Sequence, residues 1–284
     1  MNKSSYCVDG TLSPEQRDIA MGIWYSLGMQ GCEEESAGDK VRIKVYFPDE
    51  KTARSAADDF LSRDPDSDPQ VYNVVQQDWN AQWRQTMKPA KIAPGFWVSP
   101  DWLPPPLKTD DHWIKIEPKM AFGTGHHETT RLASRSIISI RKQIANGRFL
   151  DIGTGSGILC FVADICGAKV CTGVEIDPDC RENLAENNKL NSHKASISFL
   201  IGTVDSLNET AKYEAVAMNM ILTESTPVLK KAVSMLVEGG ILIWSGILIE
   251  EKDIAIEKAK KAGCDLLREK SEHEWWCGIF RTTK

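Results

Sequence analysis

No apolar run in this chain of 284 residues approaches the roughly 18–20 needed to cross a bilayer, so no membrane-spanning helix is expected. The opening stretch, MNKSSYCVDGTLSPEQRD, has no apolar core and is not read as a signal peptide. No CxxC pair occurs among the eight cysteines, at 7, 32, 160, 166, 171, 180, 264 and 277, which removes a zinc ribbon and a disulfide framework. They read as reduced thiols in a cytoplasmic protein. Internal repeats and low-complexity tracts are absent. Basic charge is not in excess either, since the net charge is −6. Residues 1–78 carry 8 basic and 15 acidic side chains, a balance of −7, whereas residues 79–284 carry 26 and 25, a balance of +1. An acidic N-terminal third lacks the positive surface that phosphate binding needs, so direct nucleic-acid binding is not expected. It suits either solubility or the attraction of a basic partner protein.

What is present is an ordinary globular composition, 42% hydrophobic and 26% charged, at a length that fits two domains. Over 1–78, TLSPEQRDIAMGIWYSLGM (11–29) predicts a helix capped by Ser13, with Pro14 in its first turn, Gln16 at capping-box spacing, and Ile19, Ile23, Trp24 and Leu27 on one face. KVRIKVYF (40–47) alternates as a half-buried strand. EKTARSAADDFLSR (50–63) places Ala53, Ala56, Ala57, Phe60 and Leu61 on one side of a second helix. With QVYNVVQ (70–76) and weaker strands near 5–9 and 31–35, the order is β-α-β-β-α-β, a small α+β ferredoxin-like domain. Residues 79–118 hold five of the nine tryptophans, at 79, 83, 97, 102 and 113, and six of the thirteen prolines lie between Pro89 and Pro106. They read as an extended, stiff connector that packs against a domain. From 119 to 284, strands at 148–153, 169–176, 196–202, 213–221 and 239–247 alternate with helices, and 264–283 reads as a final hairpin. That pattern gives an α/β, Rossmann-like, mostly parallel sheet with an antiparallel edge.

The strongest motif is Leu150-Asp151-Ile152-Gly153-Thr154-Gly155-Ser156-Gly157-Ile158, a buried strand that delivers an acid and three alternate glycines to a helix start. Glycine lets the backbone turn sharply and lets a ligand come close. A dinucleotide fingerprint, G-x-G-x-x-G, fails because Ile158 stands at its third glycine when counted from Gly153. Counted from Gly155, the position is Cys160, which a loose rule tolerates. Glu175, 24 residues after Asp151 in GVEIDP, ends the next strand where a carboxylate can accept ribose hydroxyls. Asp205, in GTVDSL, is a candidate acceptor for the adenine amino group or a plain turn residue. A second motif, Ala121-Phe122-Gly123-Thr124-Gly125-His126-His127-Glu128-Thr129-Thr130, precedes the sheet. Adjacent histidines rarely converge on one ion, so no metal is expected, and Thr124 or His127 suits helix capping.

Together the two motifs resemble the PrmA family, the methyltransferases of the large-subunit ribosomal protein numbered eleven. The D-x-G-x-G-x-G run is similar to the first motif of class I S-adenosylmethionine-dependent methyltransferases. QQDWNAQWRQTMKPAKIAPGFWVSPDW (76–102), GVEIDP, Asn219, GGILIWSGIL (239–248) and EWWCGIF (274–280) follow in the family's order, so the resemblance covers roughly 76–284. It implies that Asp151, Gly153, Gly155 and Glu175 bind S-adenosylmethionine. It also implies that Phe122, Gly123, Thr124, Gly125 and Thr129 form a loop closing over the cofactor, with Thr124 and Asn219 at the reacting atoms. The implied reaction is methyl transfer to a lysine ε-amine or an N-terminal α-amine of a basic ribosomal protein, recruited by the N-terminal domain. The chain departs from the family after Asn219, where Met220-Ile221-Leu222-Thr223-Glu224-Ser225 replaces small residues and a proline, and at His126, often threonine in the family. Methylation of a different protein or a small molecule, and a non-catalytic cofactor-binding assembly factor, stay open beside the first reading. A nicotinamide dehydrogenase is disfavoured by Ile158.

Overall fold

The structure is a computed structural model that describes residues 4–75, 87–119 and 121–283, and the chain divides into two compact units, Met1–Met87 and Lys88–Lys284. The first unit runs β1 (Ser4–Leu12), α1 (Pro14–Ser26), β2 (Gly31–Ala37), β3 (Lys40–Phe47), α2 (Glu50–Arg63) and β4 (Gln70–Val75). Its sheet has the order β2-β3-β1-β4 with every pair antiparallel. Ser13 caps α1 by accepting from the Gln16 amide at 3.3 Å, while the Gln16 side chain reaches Arg63 instead of closing the box. The face expected for α1 is corrected. Ile19 and Ile23 are 57% and 39% exposed, while Ala20 and Trp24 are buried. The Trp24 ring stacks on Phe60 at 4.5 Å, and the small Ala20 one turn earlier lets the helix approach the sheet in that rotation. Leu61 of α2 is exposed for the same reason, since Phe60 holds the core side.

The second unit begins inside the segment read as a connector. Its described part, 87–118, folds as β5 (Ala90–Ala93), β6 (Phe96–Ser99) and β7 (His112–Lys115), a three-stranded sheet. Ile92, Val98 and Ile114 are fully buried in the main hydrophobic cluster. Trp97 and Trp113 are only half-buried and Trp102 is exposed, so aliphatic side chains and not tryptophans anchor this segment. Trp79 and Trp83 lie outside the described residues.

The remainder alternates α3 (Glu128–Ser139), α4 (Arg141–Ile144), β8 (Arg148–Ile152), α5 (Ile158–Ile165), β9 (Val170–Glu175), α6 (Cys180–Leu190), β10 (Ser196–Ile201), β11 (Tyr213–Asn219), α7 (Leu222–Ser234), β12 (Leu236–Leu248), α8 (Lys252–Lys261), β13 (Cys264–Glu272) and β14 (Trp275–Thr282). The sheet order is β10-β9-β8-β11-β12-β14-β13, parallel through β12 and antiparallel at β14 and β13. Chain order reverses beside β8, and ligands of open α/β sheets bind at the carboxyl ends of strands at such a switch point. The strand ends there are followed by Gly153, by Gly202 and, at β11, by Asn219 itself. Helix α6 starts at Cys180, after a turn in which Asp177 accepts from the Asp179 amide at 2.9 Å. No helix among the described residues is long and apolar enough to cross a membrane.

Three asparagines at i, i+4 spacing, Asn183 and Asn187 on α6 and Asn191 at its C-cap, tie this frame together. Asn187 accepts from the Glu117 amide and donates to the Ser156 carbonyl, both at 2.9 Å. Asn191 accepts from the Lys115 amide and donates to the Lys115 carbonyl. Asn183 donates to the Glu117 carbonyl. The segment before the second motif is thereby hung on α6 by its backbone. Replacing the fully buried Asn187 by Ala is expected to cost about 2–4 kcal/mol and to lower Tm by roughly 5–10 °C in a thermal melt.

Candidate cofactor and reaction site

The two glycine-rich turns meet backbone to backbone. The Ser156 amide donates to the Phe122 carbonyl at 2.9 Å, and the Ser156 hydroxyl donates to the Gly123 carbonyl at 2.8 Å. Gly155 has φ +52°, and a Cβ built on it would lie 2.5 Å from the Phe122 oxygen. Gly125, at φ +85°, packs against Val98 of β6 with no room for a Cβ. The carboxyl ends of β8, β9 and β11 and these turns enclose a cavity of about 730 Å³.

Among the residues singled out by sequence, Phe122, Thr129, Gly153, Gly155, Glu175 and Asn219 line that cavity. Gly123, Thr124, Gly125, Asp151 and Asp205 do not. Thr124 pairs with His126 Nδ1 at 3.3 Å. Asp205 is an exposed side chain in the turn after β10, 4.0 Å from Lys231, while its neighbours Gly202, Thr203 and Val204 form the wall. Asp151 is fully buried behind the glycine turn and accepts from the Thr154 hydroxyl at 2.6 Å. Its other oxygen, Oδ1, has no hydrogen-bond partner. Glu175 spends one oxygen on the Gly155 amide at 2.8 Å and the other on the Asp177 amide at 3.1 Å. Each oxygen keeps a lone pair for a ligand hydroxyl.

Sequence reasoning offered His127 as a helix cap, which it is, but missed its place and that of several other residues on the wall. His127 Nδ1 caps α3 by accepting from the Thr129 amide at 3.3 Å, which assigns the ring proton to Nε2. Its ring sits edge-on between Phe122 at 5.4 Å and Trp275 at 5.2 Å, and all three line the cavity. Gly246 breaks β12 at φ +86°, where a Cβ would meet the Met220 backbone at 2.7 Å. A glycine inside an otherwise apolar strand pattern was the available signal for it. Asp177 and Glu224 also line the wall. Asn219 Oδ1 is buried with no hydrogen-bond partner.

Burial pushes the Asp151 carboxyl up to about 7; the Thr154 hydroxyl opposes this and the nearby Glu175 charge adds to it. The fold therefore favours the protonated acid. Its contribution to stability is fully present below the ordinary carboxylate range and is lost as pH rises from about 4 through about 7.

A family model described as Ribosomal protein L11 methyltransferase (PrmA) matches residues 14–283. The chain is 31% identical over 247 residues to the ribosomal protein L11 methyltransferase of Geobacter sulfurreducens, spanning 87% of this chain and 78% of that protein. It is 32% identical over 213 residues to the corresponding protein of Geobacter metallireducens, spanning 75% and 69%. The crystal structure of a ribosomal protein L11 methylase from Lactobacillus delbrueckii subsp. bulgaricus superposes with a TM-score of 0.61 at 21% identity, over 70% of this chain and 100% of that one. That likeness shows the fold.

Family and fold imply S-adenosylmethionine as the methyl donor. The residues present fit it. Gly153 and Gly155 put backbone without a side chain of its own on the cavity wall, Asn219 Oδ1 is an unpartnered acceptor, and the carboxylates at the end of β9, Glu175 and Asp177, line the same wall. No lysine or arginine lines the cavity among the described residues, which suits a ligand bearing a sulfonium and an ammonium better than a pyrophosphate. Gly155→Ala is expected to weaken calorimetric cofactor affinity at least about tenfold, whereas Gly22→Ala, in open space on α1, leaves it unchanged. In the cofactor-free protein, Tm measured from pH 4 to 8 should contain a falling component that Asp151→Asn removes. With both motifs joined in one site and the family model spanning 14–283, the chain belongs to the PrmA family, the ribosomal protein L11 methyltransferases.

Proposed function

We propose that this chain methylates amines, lysine ε-amines or an N-terminal α-amine, of a basic large-subunit ribosomal protein, the L11 protein that its relatives are named for. The observation that carries this reading is the Asn219 acceptor, buried and unpartnered on the wall of a cavity with aromatic and acidic lining. When bound, S-adenosylmethionine supplies an electrophilic methyl group on a positively charged sulfur. This chain's residues must then present a neutral amine to it. A free lysine has a pKa of about 10.4, so at pH 7 its neutral form is disfavoured by about 3.4 units, or about 4.6 kcal/mol. Burial against Phe122, His127 and Trp275 favours the uncharged amine by removing water from it. Asn219 Oδ1 accepts one N–H of that amine and turns its lone pair toward the methyl group, so that alignment supplies most of the acceleration. Gly153, Gly155 and Glu175 hold the cofactor, with Asp151 fixing the turn through Thr154. The first unit, whose residues 1–78 carry a balance of −7, recruits the basic substrate, and the reaction takes place in the cytoplasm.

The run Thr223-Glu224-Ser225 favours a second reading, methylation of a different protein or a small molecule. Labelled cofactor in a whole lysate separates the two, since label found only in small molecules rejects the first. For the first reading, Asn219→Ala is expected to lower kcat about 10- to 100-fold on the ribosomal protein, with calorimetric cofactor affinity within about threefold of wild type.

A further inference from the structure

Three carboxylates face the cavity, and they are not equivalent. Glu175 is committed to two backbone amides, and Asp177 accepts from the Asp179 amide. Glu224, in the first turn of α7, is exposed, and its carboxylate has no hydrogen bond or ion pair among the described residues. It stands five residues after Asn219, within the run where this chain replaces the family's small residues and proline with polar ones. The cavity wall offers it no cationic partner. An exposed carboxylate on this wall attracts a positive group that enters the cavity.

We propose that Glu224 is a specificity-determining residue that captures the protonated amine of the substrate as it enters, and that it is not a general base. This rests on the amine-methylation reading above and deepens it. An anion beside an ammonium stabilises the charged form, which helps capture and works against nucleophilic attack. Glu224 therefore acts on binding, and the amine must release its proton to solvent water and move inward, to Asn219 and the aromatic wall, before it reacts. The two roles predict opposite kinetics. Loss of a capture group raises KM and leaves kcat equal or higher. Loss of a base lowers kcat.

The test is steady-state methylation of the recombinant ribosomal protein by the full chain, with cofactor affinity measured by calorimetry. Glu224→Gln is expected to raise KM for the protein about threefold to tenfold, with kcat not reduced and cofactor affinity unchanged. Raising salt should narrow the gap between variant and wild type. An unchanged KM, a kcat reduced tenfold, or a parallel loss of cofactor affinity would each overturn the inference. If the wild type labels no ribosomal protein, the proposed substrate fails instead. Glu224 is then read by calorimetric binding of a short lysine peptide and its neutral norleucine counterpart to the enzyme saturated with demethylated cofactor. Wild type should prefer the lysine peptide and Glu224→Gln should not; equal binding of both peptides to wild type overturns the inference.

Discussion

The Phe122 carbonyl, accepting from the Ser156 amide 2.9 Å away, is the contact on which the site depends. It joins two turns more than thirty residues apart in the chain, and the hydroxyl of the same serine secures the next carbonyl, that of Gly123. Such a backbone-to-backbone approach tolerates no Cβ at Gly155, and the bend at Gly123 needs φ +105°. The glycines therefore serve the protein before they serve a ligand. Once the turns are locked, Phe122 is delivered to the cavity wall and the start of α3 is placed so that His127 and Thr129 follow it. Asn187 donates to the Ser156 carbonyl from the other side, so that serine is held through its amide, its hydroxyl and its carbonyl.

Electrostatics then select what the cavity accepts. Acidic groups gather at the ends of β8 and β9, and the fold offsets their repulsion with backbone amides and burial instead of cations. Glu175 takes two amides, and Asp151, with one unpaired oxygen, retains its proton far above the usual carboxylate range. A dinucleotide would place a pyrophosphate against this charge, with Ile158 buried where its fingerprint needs glycine. A cationic methyl donor meets the same charge favourably.

Much of this was legible in the sequence where a single local requirement dictated the residue. D-x-G-x-G-x-G marks the turn because only glycine satisfies its φ values. Glu175 is readable as the acid that ends the strand after the motif, from which it lines the cavity, and Ser13 because a cap needs a short oxygen-bearing side chain. Legibility ended where packing between distant segments decides. The rotation of α1 follows from Trp24 stacking on Phe60 rather than from the spacing of isoleucines. The packing of residues 88–118 against a domain was readable from their apolar content, but the side chains that anchor them are Ile92, Val98, Ile114 and Ile116 and not the tryptophans. Trp275 reaches the cavity from a strand at the far end of the sequence, which no local pattern announces.

The alignment of that far strand has its own physical cause. Arg131 of α3 donates to Glu128 at 2.8 Å and to Glu272, at the end of β13, at 2.6 Å, and Arg135 reaches the second Glu272 oxygen at 2.8 Å. His273, at φ +51°, turns the hairpin and meets Glu128 at 3.3 Å. Glu128, Glu272 and His273 converge closely enough to suggest a cation site. The guanidinium of Arg131 already occupies both carboxylates, so the cluster is better understood as a clamp. Its own backbone amide, aided by Arg131 and His273 and opposed by burial, holds Glu128 down at about 2. A depressed carboxyl lends its stability above the ordinary carboxylate range and loses it only as pH falls toward that value, so the clamp is intact throughout the range in which an amine is methylated. What it fixes is the distance between the start of α3 and the start of β14, and therefore the packing of His127 against Trp275. The reacting wall is thus set by an ion-pair network outside the cavity, just as the turn beneath it is set by the contact between Gly155 and the Phe122 carbonyl.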